Sequence, residues 1–141
     1  MNAKEFLGKA GRLEREISSM KEQLLQYRAL AEKVTVAYGN EAVSHSRNIH
    51  SQEDVALRII ALEEEINNST AMLNSVRIEI ANLLGEIPDS RIRNVLWKKY
   101  IEYKSIVMIA KETAYSIRWT KTLHSLGLTK VDELLSQRGI A

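Results

Sequence analysis

The sequence predicts an all-α chain: a long antiparallel helical hairpin of coiled-coil type, followed by a small helix-turn-helix domain. Three observations carry this. Two long stretches repeat apolar residues at alternating steps of four and three, which is the spacing of a heptad seam. The 141 residues contain one proline and six glycines, and aromatics make up 6%, a composition that disfavours a turn-rich β fold. Near the C-terminus, two short amphipathic segments flank a tight polar break. The division is expected between residues 87 and 88, with the hairpin over 1–87 and the helix-turn-helix domain over 88–141.

The first helix is expected over about 3–34. Phe6, Ala10, Leu13, Ile17, Met20, Leu24, Tyr27, Ala31 and Val34 form its seam. Gly8 and Gly11 weaken only its start, and at 1.5 Å per residue it would be roughly 48 Å long. A loop is expected over 35–51, where Tyr38-Gly39-Asn40 breaks the pattern and polar residues follow. Ser51, with Asp54 three residues on, can cap the second helix. That helix, about 52–86, has the seam Val55, Ile59, Leu62, Ile66, Ser69, Leu73, Val76, Ile80, Leu83 and Ile87, and Gly85 and Pro88 close it. Each helix would bury the other's stripe. A bare two-helix hairpin buries little, so a homo-oligomer formed through these helices is a candidate partnership.

Asp89 or Ser90 caps a third helix reaching Tyr103, with Ile92, Val95, Leu96, Tyr100 and Tyr103 toward the following pair. Lys104 to Leu126 then reads as two helices and a turn. Ile106, Ile109 and Ala110 form the apolar face of the first. Ser116 caps the second, whose buried side carries Ile117, Thr120, Leu123 and Leu126. The small side chain of Ala110 lets the two helices cross closely. Ala114 occupies the turn position where glycine is usual, so the turn bears strain or takes a different shape. Gly127 is expected to end the recognition helix (about 116–126), Lys130 to Gln137 to form a separate short helix, and the last four residues to fray.

Net charge is +2, but it is unevenly spread. Residues 89–141 hold ten Lys/Arg and five Asp/Glu, a net of +5, and the other 88 residues hold ten and thirteen, a net of −3. A basic module joined to an acidic partner region fits nucleic-acid binding. There is no cysteine, which excludes disulfides and thiolate metal sites. No run of eighteen apolar residues exists and Met1 to Gly11 lacks a signal-peptide core, so no membrane contact and a cytoplasmic location are expected. His45, His50 and His124 are too scattered for a metal site, and Glu63, Glu64 and Glu65 point to different sides of a helix. Neither a catalytic constellation nor a glycine-rich phosphate loop is present. The expectation is no enzyme, no cofactor and no metal.

In the helix-turn-helix frame, the second helix enters the major groove. Arg118 and Lys121 are the leading base readers, since an arginine there can bond guanine bidentately. Thr122 can touch a base or a phosphate. Trp119 has two readings, a sugar or thymine methyl in the groove or packing onto the hairpin. Ile117 has two as well, a thymine methyl or the core. Lys98, Lys99, Lys104 and Lys111 suit phosphate contact, and two of the four are expected to make it. Ser105 and Ser116, at helix N-termini, can also meet phosphate, although capping alone would account for both.

The run VLWKKYIEYKSIVMIAKETAYSIRWTKTLHSLGL resembles region four of the sigma-seventy factors. The matching points are Leu96, Lys99-Tyr100-Ile101, Ile109-Ala110, Tyr115-Ser116 and Leu123-His124. Ala114 and Thr120 depart from that pattern. With the helical hairpin before it, the chain is similar to small phage and prophage regulators of the ArpU and RinA type. The motif covers about a third of the chain, and the rest matches in architecture only. The resemblance implies sequence-specific binding of double-stranded DNA, transcriptional control of phage genes, nucleoid association in a bacterial host, and RNA polymerase as a partner. The alternative is a coiled-coil assembly protein, such as a small phage packaging component like a terminase small subunit.

Overall fold

The computed structural model describes residues 1–40 and 45–139, with side chains described for 1–33 and 51–139. Five helices follow in order: α1 (Ala3–Asn40), α2 (His45–Leu84), α3 (Ser90–Tyr100), α4 (Ile106–Thr113) and α5 (Ile117–Gln137). No strand occurs among the described residues. The fold class is the expected one: α1 packs on α2 as a helical hairpin, and a small helical domain follows. Two compact units emerge, Glu14–Met72 on one hand, and Met1–Leu13 with Leu73–Ala141 on the other. Each unit takes part of α1 and part of α2.

Both long helices run past their expected ends. α1 continues through 35–40 and α2 begins at His45, so Ser51 stands inside α2 and does not cap it. Polarity alone does not stop a helix, and the segment has no proline; its single glycine costs only about 1 kcal/mol in a helix interior. Of the expected loop, residues 41–44 lie outside the described residues. So do Ile140 and Ala141 of the expected frayed end, and the side chains of Val34, His45 and His50.

In the unit Glu14–Met72, the predicted seam faces inward. Ile17, Leu24, Leu62 and Ile66 are buried, and Met20, Tyr27, Val55, Ile59 and Ser69 are half-buried. Arg28 Nη2 donates to Glu63 Oε1 at 3.0 Å across the rim, where both side chains are exposed.

In the other unit, Phe6, Ala10, Leu73, Ile80, Leu83 and Ile87 are buried as the seam requires. Leu7 and Leu84, which stand beside it, are buried too. A helix flanked by several neighbours needs a wider apolar stripe than a coiled-coil seam. The backbone N–H of Ala3 donates to Asp132 Oδ1 at 2.7 Å, tying the start of α1 to α5.

α3, α4 and α5 pack pairwise around Val95, Ile109 and Leu123, with Ile92 and Tyr115 against them. Asp89 caps α3 by accepting the Arg91 N–H. α3 ends at Tyr100, three residues earlier than expected. There the Lys104 N–H returns to the Lys98 carbonyl at 2.9 Å, and Tyr103 takes a left-handed φ of 60°. A left-handed backbone is the conformation that usually carries glycine. Tyr103 is consequently exposed rather than core, and its hydroxyl accepts from Arg77 Nη2 at 2.9 Å.

α5 is one helix where two were expected. Gly127 sits in its middle, buried, and does not terminate it. A Cβ there would stand 2.8 Å from Leu96 Cδ1 and 2.9 Å from Leu96 Cγ. The glycine lets α5 lie directly on α3, and the helix continues to Gln137. Leu126, expected in the core, is 50% exposed. The buried arc of α5 runs through Thr120, Leu123, Gly127, Val131 and Leu135, and Leu126 falls outside it.

Candidate nucleic-acid interface

The turn between α4 and α5 places the candidate residues. α4 ends on Ala114, whose φ of 62° and ψ of 18° are left-handed. A residue with a Cβ pays for that conformation with about 1–2 kcal/mol of steric strain, so the turn keeps the usual shape and bears the strain. Ser116 then caps α5, its Oγ accepting the Trp119 N–H at 3.0 Å. Ser105 caps α4 in the same way, accepting the Met108 N–H at 3.2 Å. Each cap uses a lone pair and leaves the hydroxyl hydrogen free to be donated to a phosphate oxygen. Thr120 is fully buried, and its hydroxyl is satisfied by the Ser116 carbonyl at 2.9 Å. Its methyl fills the place of a larger apolar residue.

On a helix of 3.6 residues per turn, Arg118, Lys121, Thr122 and Ser125 share an arc of roughly 100° opposite the buried side. All four are exposed. Thr122 Oγ1 donates to the Arg118 carbonyl at 3.1 Å, so toward a ligand it offers an acceptor and a methyl. Ser125 was not singled out in the sequence; a helical wheel carried on from Arg118 by two turns finds it. Ile117, for which the sequence left the core and a thymine methyl both open, is 46% exposed at the edge of the same face. Trp119 lies on the other edge. The Arg91 guanidinium covers its ring at 5.6 Å from the centroid, and Arg91 is itself held by Asp89 Oδ2 at 3.0 Å. The packing partner of Trp119 is thus a side chain of α3.

Comparison with protein-family models, with curated proteins and with solved structures returns no match.

The charges of this domain are sorted by ion pairing. Each of the five acidic residues in 89–141 is engaged. Asp89 holds Arg91. Glu112 takes Lys104 at 2.7 Å and Lys98 at 3.6 Å, and Glu102 takes Lys104 at 3.4 Å. Glu133 pairs with Lys130, and Asp132 accepts the Ala3 N–H. Lys104, first among its neighbours, holds the Glu112 carboxyl below the usual carboxylate range, and the hydrogen bond to Arg91 does the same for Asp89. Of the predicted phosphate lysines, Lys98 and Lys104 thus clamp the end of α4 to the end of α3. Lys99 lies over the Tyr100 ring at 5.8 Å. Among the described residues no carboxylate pairs with Lys111, Arg118 or Lys121. These three come from either side of the turn.

Behind this face, His124 Nε2 is 2.7 Å from the Tyr100 hydroxyl, and the rings stack at 5.7 Å. Burial, and then Lys99 and Lys4, push the His124 pKa down, and burial pushes the Tyr100 pKa up. Neither contact is local in the sequence, because Tyr100 lies on α3 and His124 on α5.

Proposed function

We propose that the chain is a sequence-specific reader of double-stranded DNA that regulates transcription, of the phage and prophage type its C-terminal motif resembles. α5 enters the major groove. Arg118 and Lys121 meet base edges, Thr122 supports them, and Lys111, Lys99, Ser105 and Ser116 meet phosphates. The observation that carries this reading is the charge sorting. Carboxylates take Arg91, Lys98, Lys104 and Lys130, while among the described residues none pairs with Lys111, Arg118 or Lys121 on either side of the turn. A duplex recognised through the groove needs cations at such a place. No cofactor or catalytic step is involved, and the working location is the cytoplasm, on host DNA.

The hairpin unit serves protein contact. Leu25, Leu30, Leu57 and Ile60 are exposed within Glu14–Met72, surface suited to a second copy or to RNA polymerase. The same observation supports the assembly-protein alternative, in which DNA contact is secondary. Mass in solution with and without duplex separates the two: a large closed oligomer indifferent to DNA favours assembly.

The direct test is unbiased selection of a duplex site at fixed salt, followed by Arg118→Ala and Lys121→Ala. Each is expected to weaken binding to the selected site by about 5- to 150-fold, the range for a lost base contact of ~1–3 kcal/mol. Thermal unfolding should be unchanged, because both side chains are exposed. Equal binding by the double variant removes the proposal.

A further inference from the structure

We infer that Ile117 reads the 5-methyl group of a thymine, so that the selected duplex carries thymine at a fixed place beside the base held by Arg118. This rests on the DNA-reading proposal and adds a specificity residue to it. Ile117 opens α5 and is 46% exposed, although it is large, apolar and β-branched. Its neighbours on the outward face are cationic or hydroxyl-bearing: Arg118 next in sequence, and Lys121 one turn on. The core beneath is filled by Val95, Ile109 and Leu123 without it. A β-branched residue also lowers helix propensity, so the position offers little to folding.

The chemistry of the major groove supplies a counterpart. Donors and acceptors line it, and the apolar group it presents is the thymine methyl. A base-reading face with one aliphatic side chain among cations is complementary to a groove with a methyl among acceptors. The other apolar candidate on α5's first turn is committed elsewhere: Trp119 is covered by Arg91, which Asp89 holds in place. Leu126 is exposed too, but it stands on the Trp119 side of the helix, about 140° round from Lys121 against about 40° for Ile117.

The experiment uses the full chain and the duplex chosen by site selection. Each thymine in turn is replaced by deoxyuridine, which lacks the methyl, and affinity is read by fluorescence anisotropy. Wild type is expected to lose about fourfold at one position, the effect of one buried methyl. Ile117→Ala should bind the thymine duplex about fourfold more weakly than wild type does, yet treat thymine and deoxyuridine alike at that position. Ile117→Val, which keeps the branch, should retain part of the discrimination. An unchanged thymine preference in Ile117→Ala overturns the inference while leaving DNA reading intact, and so does a wild-type chain indifferent to every replacement. A wild-type chain that binds no duplex overturns both.

Discussion

Single residues show how close the margins are in this small domain. Gly127 is buried against Leu96, which has no exposed surface of its own and nowhere to turn. Gly127→Ala would gain helix propensity, about 1 kcal/mol, but it forces a Cβ to 2.8 Å from Leu96 Cδ1. Overpacking of this kind costs about 1–3 kcal/mol, so a net loss of stability is expected in urea unfolding. Adding Leu96→Ala should then cost less than it does alone, because the new methyl occupies part of the cavity. Additive effects of the two substitutions would show that the contact is not the reason for the glycine. Ala114 runs the opposite way. Its φ of 62° is strained, and Ala114→Gly is expected to stabilise the chain by about 0.5–1 kcal/mol, the strain relieved less the added freedom of the unfolded glycine.

At the scale of elements, ion pairs decide which lysines are free for phosphate. Glu112 holds both Lys98 and Lys104, whereas Lys111 stands exposed on the same helix. The slope of log affinity against log salt is expected to fall by about 0.9 in Lys111→Ala and to stay nearly constant in Lys104→Ala. A Lys104→Ala slope that falls as far as that of Lys111→Ala would mean the clamp opens on binding. The same comparison shows what local sequence could tell. The heptad seams, the Asp89 and Ser116 caps and the turn at Ala114 were legible, because each depends on residues within a turn or two. The role of Gly127 was not, since glycine is also the commonest helix stop and only Leu96 on another helix distinguishes the two. Ile117 and Leu126 fit an apolar spacing, yet the buried arc is set by where α3 and α4 press on α5. The Lys98–Glu112 and Lys104–Glu112 pairs join different helices, so a count of charges along the chain could not assign them.

For the molecule as a whole, the packing of α5 on α3 makes stability depend on pH through His124. Its ring is half-buried, with Nε2 2.7 Å from the Tyr100 hydroxyl. Burial is the largest cause that lowers its pKa below the ordinary value of 6.5, followed by Lys99 and Lys4. The unfolded chain therefore takes up a proton at higher pH than the folded chain does. The stability this group contributes is complete above about pH 6.5 and drains as pH falls from there through the lower folded value. The carboxylates act elsewhere on the scale: Asp89 and Glu112 are lowered from the ordinary carboxylate range, so their contributions drain only in more acid solution. Tyr100, raised from 10.0, acts only in alkali. Between pH 7 and 5 the wild-type unfolding temperature is expected to decline by a margin that His124→Gln removes. The glutamine cannot titrate, while its amide can still bond the Tyr100 hydroxyl. Tyr100→Phe is expected to keep most of the decline, because burial rather than the hydrogen bond is the leading cause of the shift. Thermal scans of the three proteins at matched salt decide it: an equal decline in His124→Gln would place the titrating group outside the α3–α5 contact.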